Sequence, residues 1–275
     1  YINSLKSLVE DSLEPHGYYH AKVQINLVRN QQEAQITIDI ILGEPVRVRQ
    51  HNIKFEGNAS NDRFMGFWLE SFEPQKGEIF NHDIYETSKL DISQALLDRG
   101  YFDQENTIHE VRVTRAEMSA DIDLIWNSGV RYRFGDVKFE GNNFRPGLIE
   151  QLVGFEQGKF YSQSQVFRLH ESLSRLNYFG SIEIIPDLEQ KEGDQVPILV
   201  KVTEGKQNSY NTSLRYGTQT GAGIEFGMER RWINDKGHKL AFDVAWAQNE
   251  QSVLASYRIP AFAWLDGWYS FGVEA

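Results

Sequence analysis

The chain has 275 residues, no cysteine and a formal net charge of −11. The missing cysteine excludes disulfides, thiolate nucleophiles and cysteine-ligated metals. The acidic charge, which lies almost entirely in residues 1–206, argues against a nucleic-acid partner because it repels phosphates. No apolar run approaches the ~20 residues of a membrane-spanning helix. No signal peptide opens the chain either, so we expect a processed or cut piece of a longer protein.

A helical stretch that ends at a residue tolerant of positive φ recurs three times. These residues are Gly17, Gly100 and Asn177, and each is followed by an aromatic pair and two strand-like runs. Glycine and asparagine adopt the left-handed backbone that ends many helices. The recurrences lie about 80 residues apart, which predicts tandem copies of one small module.

Each complete module opens with a short strand that ends at Gly57 or Gly141, within the matching sequences KFEGN at 54–58 and 138–142. The third module then shows a first helix and a second helix, marked respectively by Leu148, Leu152 and Val153 and by Val166, Leu169, Leu173 and Leu176. The order strand, helix, helix, strand, strand predicts an α+β fold. The first module shows only its second helix and strand pair, so we expect the chain to begin inside a module.

The last strand of each module alternates apolar and polar residues, which predicts one face packed on helices. The apolar positions are Ile36, Ile38 and Ile40, then Ala120, Ile122, Leu124 and Trp126, then Val196, Ile198, Val200 and Val202. Pro186 lacks a backbone donor, which predicts an edge position for its strand. Asp121 and Asp123 are expected to point outward as solubilising charges.

After residue 206 the helical period disappears and alternating runs follow one another. The first run places Tyr210, Thr212, Leu214 and Tyr216 on one face, and a fifth run begins near Trp268. Alternating strands with aromatic residues near their ends are typical of transmembrane β-barrels. A soluble antiparallel sheet produces the same alternation, so the pattern alone does not decide between a barrel and a soluble sheet.

Two histidine-glutamate pairs, at 109–110 and 170–171, resemble the start of a zinc-protease motif. Val113 and Ser174 occupy the positions of the second histidine, so the ligand set is incomplete. No nucleophile, base and oxyanion site assemble elsewhere. We therefore expect no catalytic residue, no metal and no cofactor, and a protein that is not an enzyme.

The two KFEGN segments resemble the opening of POTRA domains, the periplasmic modules of BamA-type outer-membrane proteins. Residues 100–103, 127–135 and 234–238 are similar in order and spacing to the TamA family of translocation and assembly module barrels. The resemblance covers essentially the whole chain and favours a barrel over a soluble sheet. It implies part of a first POTRA domain at 1–46, further POTRA domains at 47–128 and 129–206, and four to five barrel strands at 207–275.

The resemblance implies a factor in the outer membrane of a Gram-negative bacterium, with its POTRA modules in the periplasm, that inserts or translocates β-barrel proteins such as autotransporters. Implied partners are unfolded outer-membrane protein clients, outer-membrane lipid and a TamB-like inner-membrane-anchored protein. Client strands would pair at a seam formed by Tyr210, Thr212, Leu214 and Tyr216, and POTRA edges would bind extended segments by β-augmentation. The alternatives are a POTRA-barrel secretion transporter, for which two POTRA modules are typical, and a soluble periplasmic protein-binding scaffold.

Overall fold

A computed structural model describes residues 2–29, 34–262 and 267–275. The chain divides into two compact units, Tyr1–Arg131 and Tyr132–Ala275. The elements of the first unit are α1 Ile2–Leu13, β1 Lys22–Arg29, β2 Ala34–Ile41, β3 Arg47–Glu56, α2 Arg63–Glu70, α3 His82–Asp98, β4 Glu105–Thr114 and β5 Ser119–Asn127. Those of the second are β6 Arg133–Glu140, α4 Gln163–Arg175, β7 Phe179–Pro186, β8 Gln195–Glu204, β9 Asn208–Gly217, β10 Gly221–Arg230, β11 Lys239–Ala247, β12 Gln251–Ala261 and β13 Gly267–Glu274.

The first unit begins with α1 and the antiparallel pair β1–β2. Ile36, Ile38 and Ile40 of β2 are 54%, 40% and 45% exposed, so the prediction that they pack beneath helices is wrong. Within the part of the chain that the structure describes, this sheet has only two strands, and α1 packs mainly beside β1. The alternating pattern predicted strand β2 correctly. Burial of its isoleucines depends in addition on whether another element packs over them.

The rest of the first unit is a three-stranded sheet in the order β3-β5-β4, with β3 parallel and β4 antiparallel to β5. The alternating residues Ala120, Ile122, Leu124 and Trp126 are fully buried in a core that includes residues of α2 and α3. On the opposite face Asp121 is only 5% exposed. Arg49 of β3 donates a hydrogen bond of 2.9 Å from its Nε to this carboxylate, so Asp121 is paired and covered, which corrects its expected solubilising role.

The second unit begins with the same topology, in the order β6-β8-β7 with β6 parallel to β8. Pro186 ends β7, which is an edge strand as predicted. The predicted first helix of this module is wrong, because only a 3-10 turn forms, at Glu150–Leu152. Gly147, at φ +81°, is in a left-handed conformation that an α-helix cannot contain, and it directly precedes Leu148 of this predicted helix. Leu148 and Leu152 are nevertheless buried.

Five antiparallel strands complete the second unit, in the order β13-β12-β11-β10-β9. The α+β fold predicted from the sequence is confirmed. The domain boundaries predicted at 46, 128 and 206 stay predictions, although β3, β6 and β9 begin shortly after them. Among the helices in the described ranges, none is long and apolar enough to cross a membrane.

Candidate strand-pairing edge and its supporting contacts

Strand β9 forms one edge of the five-stranded sheet. It pairs with β10 along its whole length, from Asn208 opposite Arg230 to Gly217 opposite Gly221. Within the described residues, its other side carries no strand partner. The structure therefore places the four predicted pairing residues, Tyr210, Thr212, Leu214 and Tyr216, together on one face of an edge strand. Unpaired backbone groups on such an edge are a template for another strand.

That face of β9 continues as an apolar surface across the whole sheet. The strand register sets Tyr210 opposite Met228, Met228 opposite Phe242, Phe242 opposite Ala255 and Ala255 opposite Val273. Large apolar side chains on this face are more than one-third exposed: Tyr210, Leu214, Tyr216, Ile224, Phe226, Leu240, Phe242, Trp246, Val253, Tyr269, Phe271 and Val273. Apolar patches of this extent mark contact with a protein or a membrane.

The opposite face of the sheet is mostly polar, although Leu254 and Trp268 also lie on it. Arg215 of β9 forms an ion pair of 2.7 Å with Glu225 of β10, and Ser213 donates a hydrogen bond of 3.0 Å to the same glutamate. Asp243 of β11 and Ser252 of β12 lie on this face as well. Strands with one apolar and one polar face are the pattern of a membrane barrel, whose outer surface meets lipid and whose interior meets water.

The turn between β10 and β11 docks against the preceding module. Tyr178, which is fully buried, donates its hydroxyl to the carbonyl of Gly237. The Nζ of Lys239 donates a hydrogen bond of 2.5 Å to the carbonyl of Leu176, and the backbone N–H of Arg145 donates one of 3.0 Å to Asp235. Burial raises the pKa of Tyr178 above its ordinary value, so this hydroxyl stays a donor.

The sequence showed a family resemblance at 234–238 but did not predict this docking. A side chain at Gly237 would place its Cβ 2.6 Å from the Tyr178 hydroxyl, so the turn glycine is required by packing. The rings of Phe144 and Trp232 surround Tyr178, at centroid distances of 4.7 and 6.3 Å. The tryptophan at the strand end, next to a glycine turn, was the available signal.

A second cluster that sequence reasoning missed surrounds Asp62 in the first unit. Asp62 begins α2 by accepting a hydrogen bond of 3.0 Å from the backbone of Phe64. Arg99 binds both carboxylate oxygens at 3.0 Å, Tyr101 donates its hydroxyl at 3.0 Å, and Arg131 approaches at 3.4 Å. These residues lie far apart in the chain, and only the Asp62 helix start has a local signal.

The electrostatics of this cluster favour a charged carboxylate. Burial by itself would raise the pKa of Asp62, but the hydrogen bonds and charge of Arg99, with the Tyr101 hydroxyl and the Phe64 amide, bring it below the ordinary value. Burial and the Asp62 charge raise the pKa of Tyr101 to about 12. The cluster therefore stabilises the fold, and nothing in its geometry supplies a reacting group.

The five fold-signature residues lie at the ends of different helices and strands and form no common site. Gly17, Gly57, Gly100, Gly141 and Asn177 have φ values of +93°, +79°, +86°, +84° and +56°. Gly141 is the most constrained by packing, because a Cβ there would lie 2.1 Å from the carbonyl oxygen of Val202. These residues shape the modules that carry β4 and β7, the edge strands of the two three-stranded sheets.

The POTRA family model, described as surface antigen variable number repeat, matches residues 132–205. These residues span β6, α4, β7 and β8. Residues 132–205 are a POTRA domain. The second module has the same arrangement. Its first strand, β3, is parallel to its last strand, β5, and the edge strand β4 is antiparallel to β5.

Two comparisons extend beyond the POTRA domain. The chain is 25% identical over 189 residues to the outer membrane protein assembly factor BamA of Neisseria meningitidis serogroup B, which covers 62% of this chain and 23% of BamA. The crystal structure of BamA from Haemophilus ducreyi lacking POTRA domains 1–3 aligns with a TM-score of 0.68 and 19% identity, covering 83% of this chain and 42% of that chain.

CdiB from Acinetobacter baumannii aligns along 99% of this chain and 50% of its own at 14% identity, but its TM-score of 0.43 is too low to support an inference. The chain thus spans about a quarter of the curated BamA relative and less than half of the H. ducreyi structure. What these similarities establish is the fold, a POTRA domain followed by an antiparallel sheet of the kind found in BamA.

Proposed function

We propose that this chain is part of a non-enzymatic outer-membrane protein assembly factor of the TamA type, which helps to insert or translocate β-barrel proteins such as autotransporters. One observation carries the proposal. A POTRA domain leads directly into a sheet whose apolar face is exposed, while its opposite face is polar. The protein is located in the outer membrane of a Gram-negative bacterium, with the POTRA modules in the periplasm.

The exposed apolar face supports a membrane location over a soluble scaffold. A soluble sheet gains stability by covering its apolar face, whereas Leu214, Tyr216 and Val273 are 85%, 81% and 72% exposed. Within the described residues no helix packs over them. Outer-membrane lipid is the partner that would cover a surface of this length and alternation.

Client insertion follows from the chemistry of a strand edge in lipid. A β-strand cannot enter hydrocarbon with its backbone N–H and C=O groups unpaired, because each unpaired group costs several kcal/mol. The free side of β9 offers complementary groups, so an unfolded client strand pairs there first and its apolar side chains then meet lipid. Client folding and lipid burial supply the driving force.

The POTRA modules supply further edges for protein partners. Strands β4 and β7 each lie at the edge of a three-stranded sheet, and an extended segment can join such an edge by β-augmentation. Unfolded clients and a TamB-like inner-membrane-anchored protein are the partners assigned to these edges. The POTRA modules of this chain are acidic and repel phosphates, so nucleic acid is not a partner.

Reconstitution of the full-length protein tests the proposal. Vesicles that contain the protein are expected to fold an added, urea-unfolded autotransporter barrel faster than empty vesicles or vesicles with an unrelated barrel of similar size. No acceleration by an inserted, folded protein contradicts the assembly role. Export of only the passenger encoded with it would instead identify a secretion transporter, and failure to partition with the membrane would identify a soluble scaffold.

A further inference from the structure

One cation interrupts the apolar face of the five-stranded sheet. Arg230 lies at the end of β10, on the same face as Phe226 and Met228. Its register partners are Asn208 of the edge strand β9 and Leu240 of β11. Leu240 lies opposite Tyr257, and Tyr257 lies opposite Phe271. Arg230 therefore stands between Asn208 and a row of apolar and aromatic side chains, where a charged group needs a specific reason.

The Nε of Arg230 is buried without a hydrogen-bond partner. Across the described ranges, this side chain has no carboxylate within ion-pair distance. Arginine carries five donors, and buried donors left unpaired cost free energy. The site is thus short of an acceptor, and the acceptor that suits a planar guanidinium is a carboxylate or a phosphate.

The row that holds Arg230 also holds an amphipathic tyrosine. The Tyr257 hydroxyl in this row lies 2.6 Å from the Nδ1 of His238, which belongs to the turn docked on the POTRA domain. Tyr269, one position farther along the same face, is exposed. Tyrosines with an apolar body and a polar tip mark the membrane–water interface. Leu240 and Phe242 continue the apolar face toward the centre of the sheet.

We propose that Arg230 binds the phosphate of an anionic phospholipid in the leaflet that faces the POTRA domains. This inference rests on the proposed membrane location of the sheet. The stem of Arg230 lies along Leu240 and its head reaches the phosphate, as long basic side chains do at interfaces. The acyl chains cover Leu240 and Phe242. A lipid is chosen over free phosphate because the cation is continuous with an apolar surface.

The chain offers a matched control for this site. Arg258 of β12 lies directly opposite Lys239, at nearly the same depth as Arg230 but on the polar face of the sheet. Full-length protein with R230Q or R258Q is purified, incubated with dioleoylphosphatidylglycerol in mixed micelles, and the retained lipid is counted by native mass spectrometry. R230Q is expected to weaken retention about fivefold, the effect of one cation at an anionic membrane surface, and R258Q to leave it unchanged.

Equal retention by wild type and R230Q overturns the inference, as does equal loss in both variants. If R230Q fails to fold, R230K is tested in its place, because it keeps the charge but lacks the planar fork of the guanidinium. Weaker lipid retention by R230K than by the wild type supports the site, and equal retention contradicts it. Displacement of the lipid by inorganic phosphate alone would show a free-anion site instead. Heat-modifiable migration reports insertion of the barrel separately: an uninserted wild type contradicts the proposed function, whereas an inserted R230Q that retains lipid contradicts only this inference.

Discussion

The ammonium of Lys239 donates a hydrogen bond of 2.5 Å to the main-chain carbonyl of Leu176. Lys239 begins β11, and Leu176 is the C-cap residue that follows α4 in the POTRA domain. The last carbonyls of a helix have no partner within the helix, so a lysine from the barrel-like sheet supplies one. The lysine is only 6% exposed and also lies over the rings of Tyr178 and Trp268.

Replacing Lys239 by methionine is expected to loosen the docking between the POTRA domain and the sheet. The variant keeps the apolar stem but leaves the Leu176 carbonyl unpaired, which costs about 1–3 kcal/mol. Hydrogen exchange in the full-length protein is expected to rise at residues 176–178 and 232–238. The neighbouring exposed Lys236 gives the control K236M, which should not change exchange there. Equal exchange in both variants would show that Lys239 does not hold the two elements together.

Replacing Asp62 by asparagine is expected to destabilise the second module by about 2 kcal/mol, because it leaves the partly buried Arg99 without its anion. The pKa of Asp62 is lowered in the folded state. Its stabilising contribution is therefore present above the ordinary carboxylate pKa and is lost as the pH falls through the lowered value.

The D62N variant should thus unfold more readily at neutral pH and show a shallower loss of stability in acid. Both effects are measured by urea unfolding of the full-length protein between pH 7 and pH 3. Proteolytic cleavage within the second module is the readout of unfolding. Asp98 accepts a hydrogen bond from Gln94 on the surface of α3, so D98N is the matched control. An acid profile for D62N that parallels the wild type would contradict the assigned role.

Replacing Gly141 by alanine is expected to disrupt the POTRA domain at 132–205. Its Cβ would lie 2.1 Å from the Val202 carbonyl oxygen, whereas at Gly147, with nearly the same φ, the corresponding Cβ would meet nothing within 4 Å. Both substitutions carry the left-handed backbone cost of about 1–2 kcal/mol, but only G141A adds the clash. Thermal unfolding should therefore rank G141A well below G147A, and similar melting temperatures would contradict the packing argument.

Arginine substitutions should distinguish the two faces of the sheet. Val253 lies on the exposed apolar face and Ser252 on the polar face of the same strand. V253R is expected to lower insertion of the full-length protein into vesicles, since arginine on a lipid-facing strand costs ~2–4 kcal/mol near the bilayer midplane. S252R is expected to insert nearly as well as wild type. If both variants insert equally, the apolar face does not meet lipid.

The strands and the helix 163–175 were predictable because period-2 and period-3.6 patterns are local properties of the sequence. Pro186 was equally informative, since a missing donor confines it to an edge whatever surrounds it. The predicted first helix of the third module failed for a local reason as well, because Gly147 adopts a left-handed conformation directly before it.

What the sequence did not reveal depends on contacts between distant segments. Ile36 and Ile38 alternate as well as Val196 and Ile198 do, yet only the second pair is covered. Asp121 looked like a surface charge because its partner, Arg49, lies on a strand far away in the chain. The edge position of β9 followed from the family resemblance, whereas the docking of Lys239 required the fold.

Disulfide trapping at β9 tests the central claim most directly. The chain has no cysteine, so each introduced thiol is unique within residues 1–275. A cysteine that replaces Thr212 or Leu214 in the full-length protein is expected to cross-link to the terminal strand of a stalled client. The client position that cross-links is expected to differ by two residues between the two variants. Cysteine at Ile224, which lies opposite Leu214 on the interior strand β10, should not trap the client. Cross-links only to strands of the same barrel, or equal trapping at Ile224, would contradict strand pairing at this edge.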